Sequence, residues 1–160
     1  MVYCDSNHCH EAYSSGFAFP NGLIRGLDGL IYVPQSITGA IDIFSLTATK
    51  MLEKITTVQT PYPLDNLSVD KNGDIYGAAF PQLYKLQQSD KPGQCPSAVV
   101  KVSKGKISSN DDKGGHVVQM VVEDDGNLLP GSTVAVHDAE TGRLFIGGVK
   151  SPWIAICETR

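Results

Sequence analysis

Three side chains with hard oxygen donors stand near the starts of repeated strand segments and could together bind one cation. Asn21 precedes one pair of predicted strands, and Asp65 and Asn66 open the next pair along the chain. Carboxylate and amide oxygens are the donors that hard cations take in proteins. These residues are far apart in sequence, so they form a site only if the fold brings the starts of the innermost strands to one axis.

Asn and Asp at such positions also have a simpler interpretation. Both residue types commonly hydrogen-bond the local backbone in turns. On composition alone, the turn interpretation of Asn21, Asp65 and Asn66 is therefore preferred to a cation site.

A short pattern occurs three times and indicates which elements must position these residues. Each copy has a polar cluster, a strand, a turn on Asp or Gly, and a second strand rich in Ile, Tyr, Phe or Val. The copies span residues 21–33, 65–76 and 131–146. A repeat of about 40–50 residues with paired strands is typical of β-propeller blades, whose innermost strands start around one central channel. Surface loops at 87–97 and 108–115 lengthen the second copy.

The number of repeats predicts an all-β, partial β-propeller. Propellers close with about four to eight blades, whereas this sequence holds about three to four. An open arc bares an apolar sheet face at each end, which forgoes on the order of 25 kcal/mol, more than the ~5–15 kcal/mol by which a domain is stable. We therefore expect residues 1–160 to form a single incomplete propeller domain that associates with a missing N-terminal half or with itself.

Composition excludes several classes of protein. The chain has 160 residues, a formal net charge of −4 and 41% hydrophobic residues, as expected of a soluble globular domain with a real core. No cluster of Lys and Arg suits nucleic acid, and no apolar run reaches the ~18–20 residues of a transmembrane span. Met1 is not followed by a signal-peptide pattern. Four cysteines are too few and too scattered for a disulfide scaffold.

Some local segments allow more than one interpretation. Residues 46–59 could be a helix, but their β-branched end at 55–58 favours an outer strand. His8-Cys9-His10 invites a zinc site, although the spacing fits no standard zinc pattern and strand filler is favoured. His116 and His137 have no carboxylate partner visible in the sequence, so neither is assigned as a base.

At these segments the chain resembles the C-terminal half of the paraoxonase/arylesterase family, in a wider superfamily with gluconolactonases and strictosidine-synthase-like proteins. Each pattern alone is weak, but together they are specific because they occur in order at compatible spacings. The main matching segments are GFAFPNG at 16–22, IDIF at 41–44, LDNLSVD at 64–70, GSTVA at 131–135 and LFIG at 144–147.

The resemblance implies a six-bladed propeller that binds calcium in its central channel and hydrolyses small aryl esters and lactones. It implies that Asn21, Asp65 and Asn66 are ligands of the catalytic calcium, so that Asp65 and Asn66 act in catalysis through the metal. A bound calcium ion polarises an ester carbonyl and stabilises the developing oxyanion. The substrate-pocket positions implied by the same resemblance are Phe19, Phe80, Thr133 and Val149.

The resemblance also sets limits on what this chain does alone. The family's other calcium ligands and its histidine base precede the first residue here, so an inactive or weakly active half is expected. Ala79-Phe80-Pro81 stands where animal paraoxonases have Cys-His-Pro, and Cys157 is expected to be an orphan thiol. Asn66-Leu67-Ser68 also fits a glycosylation sequon, but a channel ligand could not carry a glycan, and the ligand is favoured.

Three alternatives remain. The chain could derive from a gluconolactonase-like or a strictosidine-synthase-like propeller, or it could be a non-catalytic binding or structural remnant. The family suggests a secreted or endomembrane location, but nothing in these residues decides the compartment.

Overall fold

The structure, a computed structural model, describes residues 1–14, 16–88, 95–105 and 115–159. Most of the two surface loops expected at 87–97 and 108–115 lies outside these residues. Among the described residues, the chain forms strands and one short helix. Their bounds are β1 Val2–Cys4, β2 Cys9–Glu11, β3 Ile24–Arg25, β4 Ile31–Gln35, β5 Ala40–Leu46, β6 Leu52–Gln59, β7 Leu64–Val69, β8 Ile75–Ala79, α1 Leu83–Gln88, β9 Ser97–Lys104, β10 His116–Asp124, β11 Ser132–Asp138, β12 Arg143–Gly148 and β13 Ala155–Glu158.

The strands form antiparallel meanders that follow one another along the chain. Strands β3 to β6 form blade 1 and β7 to β10 form blade 2, each in sequential order. Strands β11 to β13 form the three-stranded blade 3, and β1 and β2 form a separate two-stranded sheet. This is an all-β, partial β-propeller of three to four blades, as the repeats predict.

The ambiguous segment 46–59 is a strand over most of its length. Strand β6 pairs with β5 along its whole length, with Val58 opposite Ile41 and Leu52 opposite Leu46. The outer-strand interpretation is therefore confirmed, because β-branched side chains at 55–58 suit a pleated surface better than a helix.

Apolar residues between neighbouring blades form the core. One buried cluster joins blade 1 to blade 2 through Ile41, Leu64 and Ile75. A second joins blade 2 to blade 3 through Tyr76 and Leu144. Strand β8 is buried along its whole length because its two faces meet different blades, which explains its apolar run without alternation.

Blades 2 and 3 are also aligned by side-chain hydrogen bonds at a constant offset. Ser68 Oγ donates to the Ala135 carbonyl oxygen at 2.7 Å, and His137 Nδ1 lies 2.8 Å from Asp70 Oδ2. Both contacts join residues 67 positions apart. The inner strands β7 and β11 therefore run parallel in fixed register. Their first residues lie at the same end of the central axis around which the blades are arranged.

An apolar sheet face is bared at blade 3, whereas the number of repeats predicts a bared face at each end of the arc. Val136, Phe145 and Ile156 occupy one row across β11, β12 and β13. Val136 and Ile156 are 47% and 63% exposed. At the other end, Tyr13 covers Phe44 of blade 1 with its ring centroid 4.8 Å away. The arc is thus asymmetric, with its open apolar face on blade 3.

The cysteines form one disulfide rather than a scaffold. Cys4 and Cys9 are paired in register on β1 and β2, and their sulfurs are bonded. Cys9 is therefore unavailable as a zinc ligand. Cys95 and Cys157 are free thiols in this structure. Within the described residues, no helix has the length and apolar character needed to cross a membrane.

Candidate functional site

A cavity of about 420 Å³ opens beside the first residues of the inner strand β7, at that end of the central axis. Its polar lining is formed by Asn21, Ser36 and Asp65. The remaining lining residues are apolar or aromatic: Phe19, Ile37, Phe80, Leu83, Tyr84 and Leu86. Two of the three predicted cation ligands therefore share one cavity, although 44 positions separate them in sequence.

A β-bulge turns Asp65 and Asn66 out of the regular ladder of blade 2. Leu64 is opposite Ala79 and Leu67 is opposite Gly77, so β7 carries one more residue than β8 over this stretch. A bulge re-aims the side chains beside it. Asp65 is only 8% exposed, and burial raises the pKa of its carboxyl group. Among the described residues, no Lys, Arg or His forms an ion pair with this carboxylate.

Asn66 connects Asp65 to both neighbouring blades. Its Nδ2 donates to Asp65 Oδ1 at 3.0 Å and to the Thr133 carbonyl oxygen at 2.9 Å. Its Oδ1 lies 2.6 Å from the position that a Cβ atom on Gly22 would take. Glycine at position 22 therefore leaves the space that the Asn66 amide oxygen occupies. The nitrogen that a glycan would need is already engaged in two hydrogen bonds.

Asn21 is held beside this pair by blade 1. Its backbone NH donates to the Pro34 carbonyl oxygen at 3.2 Å, and its Oδ1 accepts from the Gly22 NH at 3.0 Å. Its Nδ2 donates to Ser36 Oγ at 3.3 Å. Asn21 and Gly22 are adjacent, so the amides of Asn21 and Asn66 meet at the same backbone segment.

The four predicted substrate-pocket residues lie in different places. Phe19 and Phe80 both line the cavity, Phe19 at 67% exposure and Phe80 at 2%. Phe19 has a φ of 59°, a strained value for a residue with a side chain, and such strain clusters at functional sites. Neither Thr133 nor Val149 is among the described residues that line the cavity. Thr133 reaches the site through its carbonyl oxygen, and Val149 is 71% exposed.

Sequence reasoning missed two parts of the cavity. Helix α1 supplies Leu83 and Leu86, whose i, i+3 spacing after Pro81 was the signal that could have predicted a helical turn. Ser36 had no such signal, because its place between Asn21 and Leu64 depends on how blades 1 and 2 pack.

A histidine and a carboxylate that sequence reasoning left unpaired meet at the far end of the inner strands. His137 Nδ1 lies 2.8 Å from Asp70 Oδ2, and its ring stacks on Tyr76 with centroids 4.6 Å apart. Asp70 also accepts from the backbone NH groups of Asn72 and Asp74. The pair lies beyond the opposite end of β7 from Asp65, roughly 15–17 Å of extended chain away, so it is not part of the cavity.

The donor set of the cavity limits the metals that it could hold. Among the described residues, no three or more His, Cys, Asp and Glu side chains are grouped as a metal site. The cavity lining instead offers the Asp65 carboxylate and the Asn21 amide, while Asn66 is not among the lining residues and lies beside them through its hydrogen bond to Asp65. Carboxylate and amide oxygens suit a hard cation such as calcium and not zinc.

Comparisons with known proteins agree with the fold and with the repeated segments. No curated protein sequence matches the chain. Among solved structures, the chain superposes on a candidate 6-phosphogluconolactonase from Bacteroides uniformis with a TM-score of 0.62 and 12% identity. The match covers 99% of this chain and 43% of that one, and at this identity it shows the fold alone. The sequence profile of the Arylesterase family matches residues 1–158. That match spans nearly the whole sequence and confirms the resemblance seen in its strand segments, so the chain belongs to the arylesterase family.

Proposed function

We propose that the cavity is the site of a calcium-dependent hydrolase of aryl esters or lactones, with Asn21, Asp65 and Asn66 as calcium ligands. The observation that carries the proposal is the buried Asp65 carboxylate, which faces the cavity with no cationic side chain among the described residues to neutralise it. A buried charge without a partner is costly, and a divalent cation in the cavity would compensate it.

The residues of the chain fit such an ion. Asp65 contributes a carboxylate, and Asn21 and Asn66 contribute amide oxygens that the Gly22 segment and the Thr133 carbonyl hold in place. Calcium takes about six to eight oxygen ligands, so three side chains leave positions for water and for a substrate oxygen. The same count predicts weak calcium affinity, and therefore inactivity or weak activity, for this chain by itself.

The chemistry divides between the ion and the apolar wall. A bound calcium ion would polarise an ester carbonyl and stabilise negative charge on its oxygen. Phe80, Ile37 and Leu83 would hold the apolar part of the substrate and exclude water from the polar corner. Asn66 holds Asp65 by a hydrogen bond, so the carboxylate does not have to reorganise when charge develops.

The charge of the lining favours neutral substrates. None of the described residues that line the cavity is Lys, Arg or His, and Asp65 is its acidic member. A phosphorylated sugar lactone, which the name of the solved neighbour implies for that protein, would bring a phosphate next to this carboxylate. Neutral aryl esters and lactones meet no such repulsion.

The test is a calcium titration of the purified chain. Added calcium should raise the melting temperature and, if the chain alone is weakly active, the rate of phenyl acetate hydrolysis, and EDTA should reverse these effects. Asp65→Asn should abolish the response. Asp42→Asn is the matched control, since Asp42 is also buried but is paired with Lys54 at 2.7 Å, and it should keep the calcium response.

Three results would reject the proposal. The first is a melting temperature and an esterase rate that do not change when calcium is added. The second is a calcium response that Asp65→Asn retains. The third is an equal loss of the calcium response in Asp65→Asn and Asp42→Asn.

A further inference from the structure

Ser36 lies between the two candidate ligands that come from different blades. It follows β4, is 5% exposed, and lines the cavity with Asn21 and Asp65. Its Oγ donates to the Leu64 carbonyl oxygen at 2.7 Å and accepts from Asn21 Nδ2 at 3.3 Å. A single hydroxyl group therefore links the side chain of one candidate ligand to the backbone immediately before the other.

The direction of these hydrogen bonds favours one orientation of the Asn21 amide, the same one that the Gly22 NH favours by donating to Oδ1. A carbonyl oxygen can only accept, so the single proton of Ser36 is committed to Leu64. Ser36 Oγ then has only lone pairs to offer to Asn21, and it selects the NH₂ group of the amide. The reversed amide would place Oδ1 against those lone pairs, which is repulsive.

The same residue also anchors the segment that carries Asn21. The Ser36 backbone NH donates to the Phe19 carbonyl oxygen at 3.0 Å, and Asn21 NH donates to the Pro34 carbonyl oxygen at 3.2 Å. These two bonds surround Pro20, which forms a bridge with Gln35. The backbone around Asn21 is thus held by blade 1. Its amide is oriented from two sides, because the Gly22 NH donates to Oδ1 at 3.0 Å and Ser36 Oγ accepts from Nδ2 at 3.3 Å.

We propose that Ser36 is a positioning residue for the calcium site: it orients the Asn21 amide so that the oxygen, and not the nitrogen, is the atom available to the ion. This inference rests on the proposed function, because it assigns Ser36 a role toward the same ion. Nothing in the sequence pattern of the family segments points to this residue, since Ser36 falls between the matching stretches 16–22 and 41–44.

The experiment measures the calcium dissociation constant by isothermal titration calorimetry. Ser36→Ala removes the acceptor and should weaken calcium binding roughly three- to tenfold, the size of one hydrogen bond. Ser36→Thr keeps the hydroxyl group and should bind calcium within about twofold of wild type. Ser68→Ala is the matched control, because Ser68 also donates to a carbonyl oxygen of the next blade at 2.7 Å but does not line the cavity. It should lose a comparable hydrogen bond without changing calcium affinity.

A double-mutant cycle with Asn21→Ala separates positioning from a general loss of structure. If Ser36 acts through Asn21, Ser36→Ala should have no further effect on calcium affinity in the Asn21→Ala background. The inference would be overturned if Ser36→Ala weakened calcium binding equally in the wild-type and Asn21→Ala backgrounds. It would also be overturned if Ser36→Ala left the calcium affinity unchanged, or if Ser68→Ala weakened calcium binding as much as Ser36→Ala does. Wild-type protein that does not bind calcium would overturn the proposed function, and the role of Ser36 with it, whereas binding that is indifferent to Ser36 would overturn only the latter.

Discussion

Asn66 Nδ2 donates to the Thr133 carbonyl oxygen at 2.9 Å, and this bond joins two β-bulges at the same level of neighbouring inner strands. The bulge of β7 lies between Leu64 and Leu67, and that of β11 lies between Ser132 and Val134. Each bulge breaks its own ladder, and the Asn66 side chain of one bulge satisfies the Thr133 carbonyl oxygen of the other. The candidate site is therefore built where two blades meet, and its geometry depends on their packing.

Gly22 should be required for the position of the Asn66 amide. Gly22→Ala would place a Cβ atom 2.6 Å from Asn66 Oδ1, which forces the amide away from its bonds to Asp65 and Thr133. We expect a loss of about 1–3 kcal/mol in the free energy of unfolding by urea, together with weaker calcium binding. Gly115→Ala is the control, because a Cβ atom there meets no described residue within 4 Å. Equal stability of the two variants would contradict the predicted contact.

The buried Asp65 carboxylate should lower the free energy of unfolding when no calcium is present. Asp65→Asn removes a buried charge and keeps the Oδ1 acceptor for Asn66, so it should raise the melting temperature in EDTA by about 2–4 °C for each kcal/mol gained. Asp42→Asn should lower it, because Asp42 accepts from Thr57 and Gln35 and pairs with Lys54. Differential scanning calorimetry of both variants checks this, and a lower melting temperature for Asp65→Asn would show that the carboxylate is already compensated.

The stability difference between wild type and Asp65→Asn should depend on pH. Burial raises the pKa of Asp65 in the folded chain, so the folded state holds this proton to a higher pH than the unfolded state does. Binding of this proton to Asp65 therefore stabilises the folded state of wild type. The stabilisation by the proton is fully present below the unfolded-state pKa and is lost as the pH rises through the raised folded-state pKa. In EDTA, the advantage of Asp65→Asn should therefore grow as the pH rises above about 4, the ordinary pKa of an Asp side chain. Melting curves of both proteins at each pH test it, and a difference that stays constant with pH would contradict it.

The open face of blade 3 should promote self-association. Val134 and Ile154 flank Gly147 on this face, and Ile156 is 63% exposed beside them. Contiguous exposed apolar patches larger than a few hundred Å² mark interaction sites on soluble proteins. Ile156→Lys should therefore reduce the concentration-dependent mass seen by sedimentation velocity. Ile55→Lys, on the outer strand β6 at 54% exposure, is the control. Wild type that stays monomeric at high concentration would contradict the expectation.

Much of the fold could be predicted because its signals are local. The turns on Asp70 and Asp138 are visible in the sequence, and both close through a backbone NH of a following glycine. The run at 75–79 is apolar because both of its faces are buried between blades. Strand order then follows from short hairpins, which leave adjacent strands no other partner.

The candidate site could be predicted only in part. Asn21, Asp65 and Asn66 stand out because their types and positions match a repeated pattern and a family resemblance. The disulfide between Cys4 and Cys9 did not stand out, since four scattered cysteines do not show which two face each other. His137 and Asp70, 67 positions apart, could not be paired by inspection for the same reason.

By itself, the sequence determined the strands, the turns between them and the residue types that could hold a hard cation, since these depend on side-chain periodicity and on near neighbours. The tertiary structure alone decided that Ser36 lies between Asn21 and Leu64, that helix α1 forms a wall of the cavity and that Asp65 is buried. Each of these facts depends on the angle and register at which one blade packs against the next. That packing is the sum of many weak apolar contacts, and no single stretch of sequence records it.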